Sequence, residues 1–243
     1  MHHTGRSRWG HPTAPVQRDP VHTNISCPGR VIPAREETGA GGDARPVRSD
    51  GEGSDATVAT LVTRDDYFDA AIEILSTTDH GGLKQAPLCA RLQVTTGSFY
   101  NYFGSWACFR TEFLRRWLER QTLELAASAR RETSPARRME ILIDFACALP
   151  HRAESSIRGW AHNDPEVRAV QETVDEHRYA VVHEAVTALV GDDDAARDFA
   201  RLALYTLAGY QQSLPMQDIE TLRWSLRRVL DLLLTHHGRT CIA

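Results

Sequence analysis

From residue 63 onward the apolar positions recur every three or four residues, the period of an amphipathic helix. Phe68, Ala71, Ile72 and Leu75 form one such face. Thr63 is placed as its N-cap, with Asp65 and Asp66 in the first turn, where a helix dipole favours anions. Asp79-His80-Gly81-Gly82 ends that helix. A short helix is predicted over 85–92, with Pro87 in its first turn. Thr95 caps a third over 96–102, which Gly104-Ser105 breaks. A long helix over 106–130 carries Phe109, Phe113, Trp117 and Leu118 on one face.

The same period continues to the end. Ser134-Pro135 starts a helix that stops at Pro150, a short piece covers 153–162, and Asn163-Asp164-Pro165 opens a helix that runs to Val190. Gly191-Asp192-Asp193 is a turn. Helices over 194–212 and 217–236 follow, parted by Ser213-Leu214-Pro215. No stretch alternates as a strand does. The pattern predicts an all-α chain of about nine helices, without internal repeats.

Residues 1–57 break the pattern. They hold 8 of the 16 glycines and 6 of the 11 prolines, one Trp (Trp9), and no Leu, Phe or Tyr. Such a stretch buries too little apolar surface to offset its ordering entropy, and it reads as a solvated tail. His2 and His3 are too few for a metal tag. No Met lies between Met1 and Met139, so a later start would need a valine codon, such as Val58 or Val62. The expected division is a tail over 1–57, a three-helix unit over 58–108, a helical body over 109–237 and a short tail over 238–243.

Composition excludes several classes. No apolar run approaches the roughly 18 residues of a membrane helix, and the first residues lack the apolar segment of a signal peptide. Five scattered cysteines, with no CxxC pair, suit a reduced, cytoplasmic protein without structural zinc. The formal net charge is −4, which gives nucleic-acid binding no direct support. Basic charge comes from 27 Arg and one Lys, Lys84. Enzyme constellations are weak. His162, His177 and His183 with Asp164 and Asp175 lack the spacing of a helical metal site, and Cys147 with His151 lies in an apolar run where thiols are inert. No catalytic residue, metal or cofactor is expected.

Two short helices joined by a tight turn form the helix-turn-helix arrangement, whose second helix can enter the major groove. The run from Leu88 to Phe103 (LCARLQVTTGSFYNYF) resembles the signature of the TetR family of transcription regulators. Val94, Gly97, Phe99, Tyr100 and Phe103 fit it directly, Thr95 stands for its capping Ser and Tyr102 for its His or Tyr. Ile157-Arg158-Gly159-Trp160-Ala161, Asp164-Pro165-x-Val167 and Val174-Asp175-x-x-Arg178 resemble the ligand domain of one subset of that family. The resemblance covers roughly 63–235. It departs at Gln93, where the family has Gly at a turn position favouring positive φ, and at Trp106, where the family has a phosphate-contacting Lys.

The residues carry separable roles in DNA binding. Thr95 turns a helix start and its free N–H groups toward a phosphate, and Gly97 permits close backbone approach. Thr96 and Ser98 are small groups for base edges. Tyr100, Asn101 and Tyr102 suit phosphates and register, and Lys84 adds one phosphate charge. Phe99 and Phe103 face inward. Over 58–122 there are 7 basic and 7 acidic residues, so affinity for double-stranded DNA should depend only modestly on salt.

The resemblance implies a homodimer, here through helices 194–212 and 217–236, and a pocket for an unknown small-molecule effector. Phe113, Trp117, Phe145, Cys147, Trp160, Tyr179 and Tyr210 are the pocket candidates, each equally able to be core. The expected activity is that of a ligand-responsive repressor on a palindromic operator. The alternative is a helical ligand- or partner-binding protein whose degenerate helix-turn-helix no longer binds DNA.

Overall fold

Polar side chains set most of the helix starts. The computed structural model describes residues 62–213 and 218–240, with backbone alone for 236–240; the tail expected over 1–57 lies outside them. Thr63 caps α1 (Arg64–Thr77) in a reciprocal box: its side chain accepts the Asp66 N–H, and its own N–H donates to the Asp66 carboxylate at 2.6 Å. A single 3-10 turn (His80–Gly82) leads to α2 (Gln85–Arg91). Thr95 caps α3 (Thr96–Phe103) and Ser105 caps α4 (Trp106–Leu118). One such cap stabilises a helix by about 1 kcal/mol.

Beyond α4 the chain makes a π turn (Glu119–Leu123) and continues as α5 (Glu124–Arg130). Ser134 caps α6 (Pro135–Ala148), α7 spans His151–Ala161, and Asp164 caps α8 (Pro165–Val190). Both α6 and α8 carry Pro in the first turn, where its missing N–H has no partner to lose. Gly191, at φ 73°, closes α8 in the left-handed region. Asp192 caps α9 (Asp193–Gln212), and α10 covers Ile219–Thr240. Since α4, the π turn and α5 form one unbroken rod, the described residues make nine rods and no strand, as the apolar period predicts.

The first three helices close over an aromatic cluster. Tyr67, Phe68, Phe99, Phe103, Phe109 and Phe113 are all buried, and Phe103 meets Phe109 edge-on at 5.0 Å between ring centres. This cluster continues along α4 into Ala153 and Ile157 of α7 and Val167 and Val174 of α8. The front helices therefore share one core with the helices behind them. Further back, α6, α8, α9 and α10 pack through Met139, Ile143, Val186, Leu226 and Leu233.

Two ion pairs cross the α7–α8 contact. Both Glu154 carboxylate oxygens accept from Arg178, at 2.7 and 2.9 Å, and Arg178 also donates to the Gln121 carbonyl at 3.2 Å. Arg158 holds Asp175 in the same two-pronged way, at 2.6 and 2.8 Å. Glu154 is fully buried, so removing one partner would strand a charge without solvent.

Candidate nucleic-acid interface

The turn between α2 and α3 is built on Gln93. Its φ is 55°, and it is the only described non-glycine residue at positive φ. The bend is held by Val94 N–H, which donates to the Cys89 carbonyl at 3.0 Å. A side chain in the left-handed region is strained by about 1 kcal/mol, and this is the position where the sequence departs from glycine. The Thr95 hydroxyl then accepts the Ser98 N–H at 3.2 Å and starts α3.

α3 is anchored by Phe99 and Phe103, both buried. Its outer side carries Thr95, Thr96, Gly97, Tyr100 and Asn101, all exposed, with exposed Lys84 at the start of α2 nearby in the chain order. A Cβ added to Gly97 would meet nothing nearer than the Thr95 hydroxyl at 3.7 Å. The fold itself therefore does not need a glycine there. Tyr100 donates its hydroxyl to the Gln85 side chain at 3.3 Å. Gln85 was not singled out by its sequence; its one signal is its place beside the lone lysine.

Ser98 and Tyr102 sit differently. Both are half-buried. Ser98 accepts the Tyr67 hydroxyl at 3.3 Å, and the Tyr102 hydroxyl donates to the Val62 carbonyl at 2.5 Å. They brace α3 against α1 rather than stand on its outer side. Trp106 is also half-buried and packs on Phe99 and Phe109, so the residue that replaces the family's lysine belongs to the core.

Charge on this unit is internally committed. Arg64 pairs with Glu112 and donates to the Tyr102 carbonyl, and Arg91 pairs with Glu73. Arg110 holds Asp164 and Glu166 of α8. Arg115, Arg116 and Arg120 pair with Glu119, Asp65 and Asp69. Among the described residues of 58–122, Lys84 is the one cation outside an ion pair.

The helical body holds two adjoining, partly open cavities of about 60 and 70 Å³. The first lies among α6, α8, α9 and α10, and its walls are entirely apolar. The second lies among the π turn, α5, α6, α8 and α9, and adds Gln121, Thr122 and Arg178. Leu142, Ala146, Val182, Leu204 and Leu207 belong to both walls. Of the seven pocket candidates, the structure places Phe145 in this wall. Phe113 and Trp117 are buried in the front core, and Trp160 packs on it and stacks on His80. Cys147 and Tyr210 lie in the α6–α9–α10 cluster, and Tyr179 stacks on His183.

The histidines are occupied elsewhere. His162 and His177 each bond a carbonyl of their own helix, at 2.8 Å, and His183 meets Asp193 at 3.2 Å. Asp164 and Asp175 hold arginines. Among the described residues no three His, Cys, Asp or Glu side chains come together as a metal site, and no helix is long and apolar enough to cross a membrane. Burial pushes the Cys147 thiol up, away from thiolate character.

Solved structures share this arrangement of helices. A TetR transcription regulator from Haloarcula marismortui aligns with a TM-score of 0.57 at 18% identity, over 70% of this chain and 96% of its own. The chain has the TetR-regulator fold. A transcriptional regulator from a Rhodococcus species aligns at 0.60 and 16% identity, over 72% and 97%. Another, from Saccharomonospora viridis and bound to choline, aligns at 0.60 and 12%, over 69% and 95%. No protein-family model and no curated protein matches the chain.

Proposed function

We propose that this protein is a TetR-family transcription regulator of the cytoplasm, a homodimeric repressor that binds a palindromic operator and releases it when a small molecule occupies the body. One observation carries the reading: α3 presents Thr96, Gly97, Tyr100 and Asn101 outward from a fully anchored helix. Nothing inside the protein requires Gly97 to lack a side chain, whereas a DNA backbone or base edge approaching α3 does. Thr96 reads a base edge, Tyr100 and Asn101 set register on phosphates, and Lys84 adds the free charge. Thr95 directs the helix start at a phosphate, while Ser98 and Tyr102 hold α3 in position.

Two heads about 34 Å apart read the two halves of a palindrome. The second copy docks on α9 and α10, where Leu202, Tyr205, Trp224 and Leu232 are exposed apolar groups, Tyr205 at 70% and Trp224 at 60%. Ligand shifts the population between DNA-competent and incompetent dimers.

A second reading has its own support. Because six of the seven cations over 58–122 are already paired, a body that binds ligand or a partner while its head has lost DNA affinity fits the charge pattern. Fluorescence anisotropy on DNA from the protein's own upstream region at low salt separates the two. Binding that the double substitution Thr96→Ala, Tyr100→Ala abolishes supports the regulator. No binding to any genomic fragment at low salt overturns it.

A further inference from the structure

The second cavity ends in a group that the fold leaves unsatisfied. Thr122, in the π turn, is 2% exposed, lines the cavity, and its hydroxyl has no hydrogen-bond partner among the described residues. Helical threonines elsewhere in this chain solve the problem locally. Thr173, Thr187 and Thr206 each donate to the carbonyl four residues back, at 2.8–2.9 Å. Thr122 does not, so its buried hydroxyl awaits an external partner.

The one charged group at this end is already committed. Arg178 is neutralised by both oxygens of Glu154, and its remaining bond goes to the Gln121 carbonyl. Glu154 is fully buried and fully engaged. No uncommitted charge faces either cavity. A cationic ligand would find neither a free carboxylate nor an aromatic cage, since Phe145 and Phe199 are the only rings in the two walls. An anionic ligand would have to separate Arg178 from Glu154.

We propose that the joined cavities bind a neutral, slender, apolar molecule carrying one terminal hydroxyl or carbonyl oxygen. The oxygen accepts from the Thr122 hydroxyl. The tail lies past Leu142 and Val182 into the apolar cavity lined by Val186, Phe199 and Leu230. This rests on reading the helical body as the effector-binding part, and it excludes for this chain the quaternary ammonium class that occupies the Saccharomonospora neighbour.

The test is isothermal titration calorimetry on the full chain without DNA, using 1-octanol, octanoate and octyltrimethylammonium. The expected result is that 1-octanol binds at least tenfold more tightly than either charged analogue. Thr122→Val keeps the shape and removes the hydroxyl. It should weaken 1-octanol about five- to tenfold, the effect of one neutral hydrogen bond, and raise the thermal midpoint of the unliganded protein. Thr122→Ser should restore binding. No heat with 1-octanol, equal binding of either charged analogue, or an unchanged affinity in Thr122→Val overturns the proposal. Because no DNA is present, octanol binding without operator binding would overturn the regulator reading alone, and operator binding without octanol binding this one alone.

Discussion

The Ser156 hydroxyl donates to the Leu75 carbonyl at 2.7 Å, tying the middle of α7 to the last turn of α1. The final carbonyls of a helix lack partners within it, so Ser156 satisfies a group that α1 cannot. Ser156→Ala should lower stability by about 1 kcal/mol, read as a lower urea midpoint. It should also speed amide exchange at the end of α1. Unchanged exchange there would remove the bond from the account.

Gln93 holds the tight turn at φ 55°. Glycine adopts that backbone without strain, so Gln93→Gly should stabilise the protein by about 0.5–1 kcal/mol. The urea midpoint should rise with an unchanged slope. A fall in the midpoint would mean that the Gln93 side chain stabilises the turn more than its backbone strains it.

If α3 meets DNA as proposed, Gly97→Ala moves stability and operator affinity in opposite directions. Alanine is favoured over glycine in a helix by about 0.5–1 kcal/mol, and the site has room for the methyl. Gly97→Ala should therefore raise the thermal midpoint while lowering operator affinity at least tenfold, on the order of 1.4 kcal/mol. A variant that is stabilised and binds DNA normally would show that nothing approaches α3 at this point.

Salt dependence follows from the committed arginines. With Lys84 as the free cation of the front unit, few counterions are released per head. A plot of log affinity against log salt should be shallow, and Lys84→Ala should reduce its slope by about 1 per head. A slope steeper than about −6 for the dimer would contradict this.

His151 supplies a pH dependence. Burial lowers its pKa from 6.5, against the raising effect of the Cys147 carbonyl and Glu154, and its ring meets Tyr210 edge-on at 4.8 Å. The unfolded chain takes up a proton near pH 6.5 that the folded chain resists. Stability attributable to His151 is thus present above that pH and lost as pH falls through the lower folded value. Thermal midpoints of wild type should drop between pH 7 and 5 by more than those of His151→Gln. Parallel curves would exclude the effect.

Local chemistry made most of the fold legible. Thr63, Thr95, Ser134 and Asp164 are read as helix starts because a side-chain oxygen beside orphan N–H groups acts within four residues, and each does so in the structure. Phe99 and Phe103 point inward as their spacing requires. The cavity was not legible, because its walls are Leu, Val and Ala residues whose periodicity is the same whether they close on a partner or on a gap. Aromatic residues such as Trp117 and Trp160 drew attention instead, and large rings fill space. Ser98 and Tyr102 look outward in sequence because their polarity says nothing about Tyr67 and Val62, which lie more than 30 residues away.

The π turn keeps the two halves of its rod facing the core. Along the rod the buried positions are Phe109, Phe113, Leu114, Trp117, Thr122, Ala126 and Ala129, so the inward face runs through the π turn. A regular helix turns about 100° per residue, so a row of residues four apart drifts around the rod; the wider π turn offsets that drift and keeps Thr122 and Ala126 facing inward. The winding of one five-residue segment thus decides whether the Thr122 hydroxyl faces the cavity or the backbone behind it.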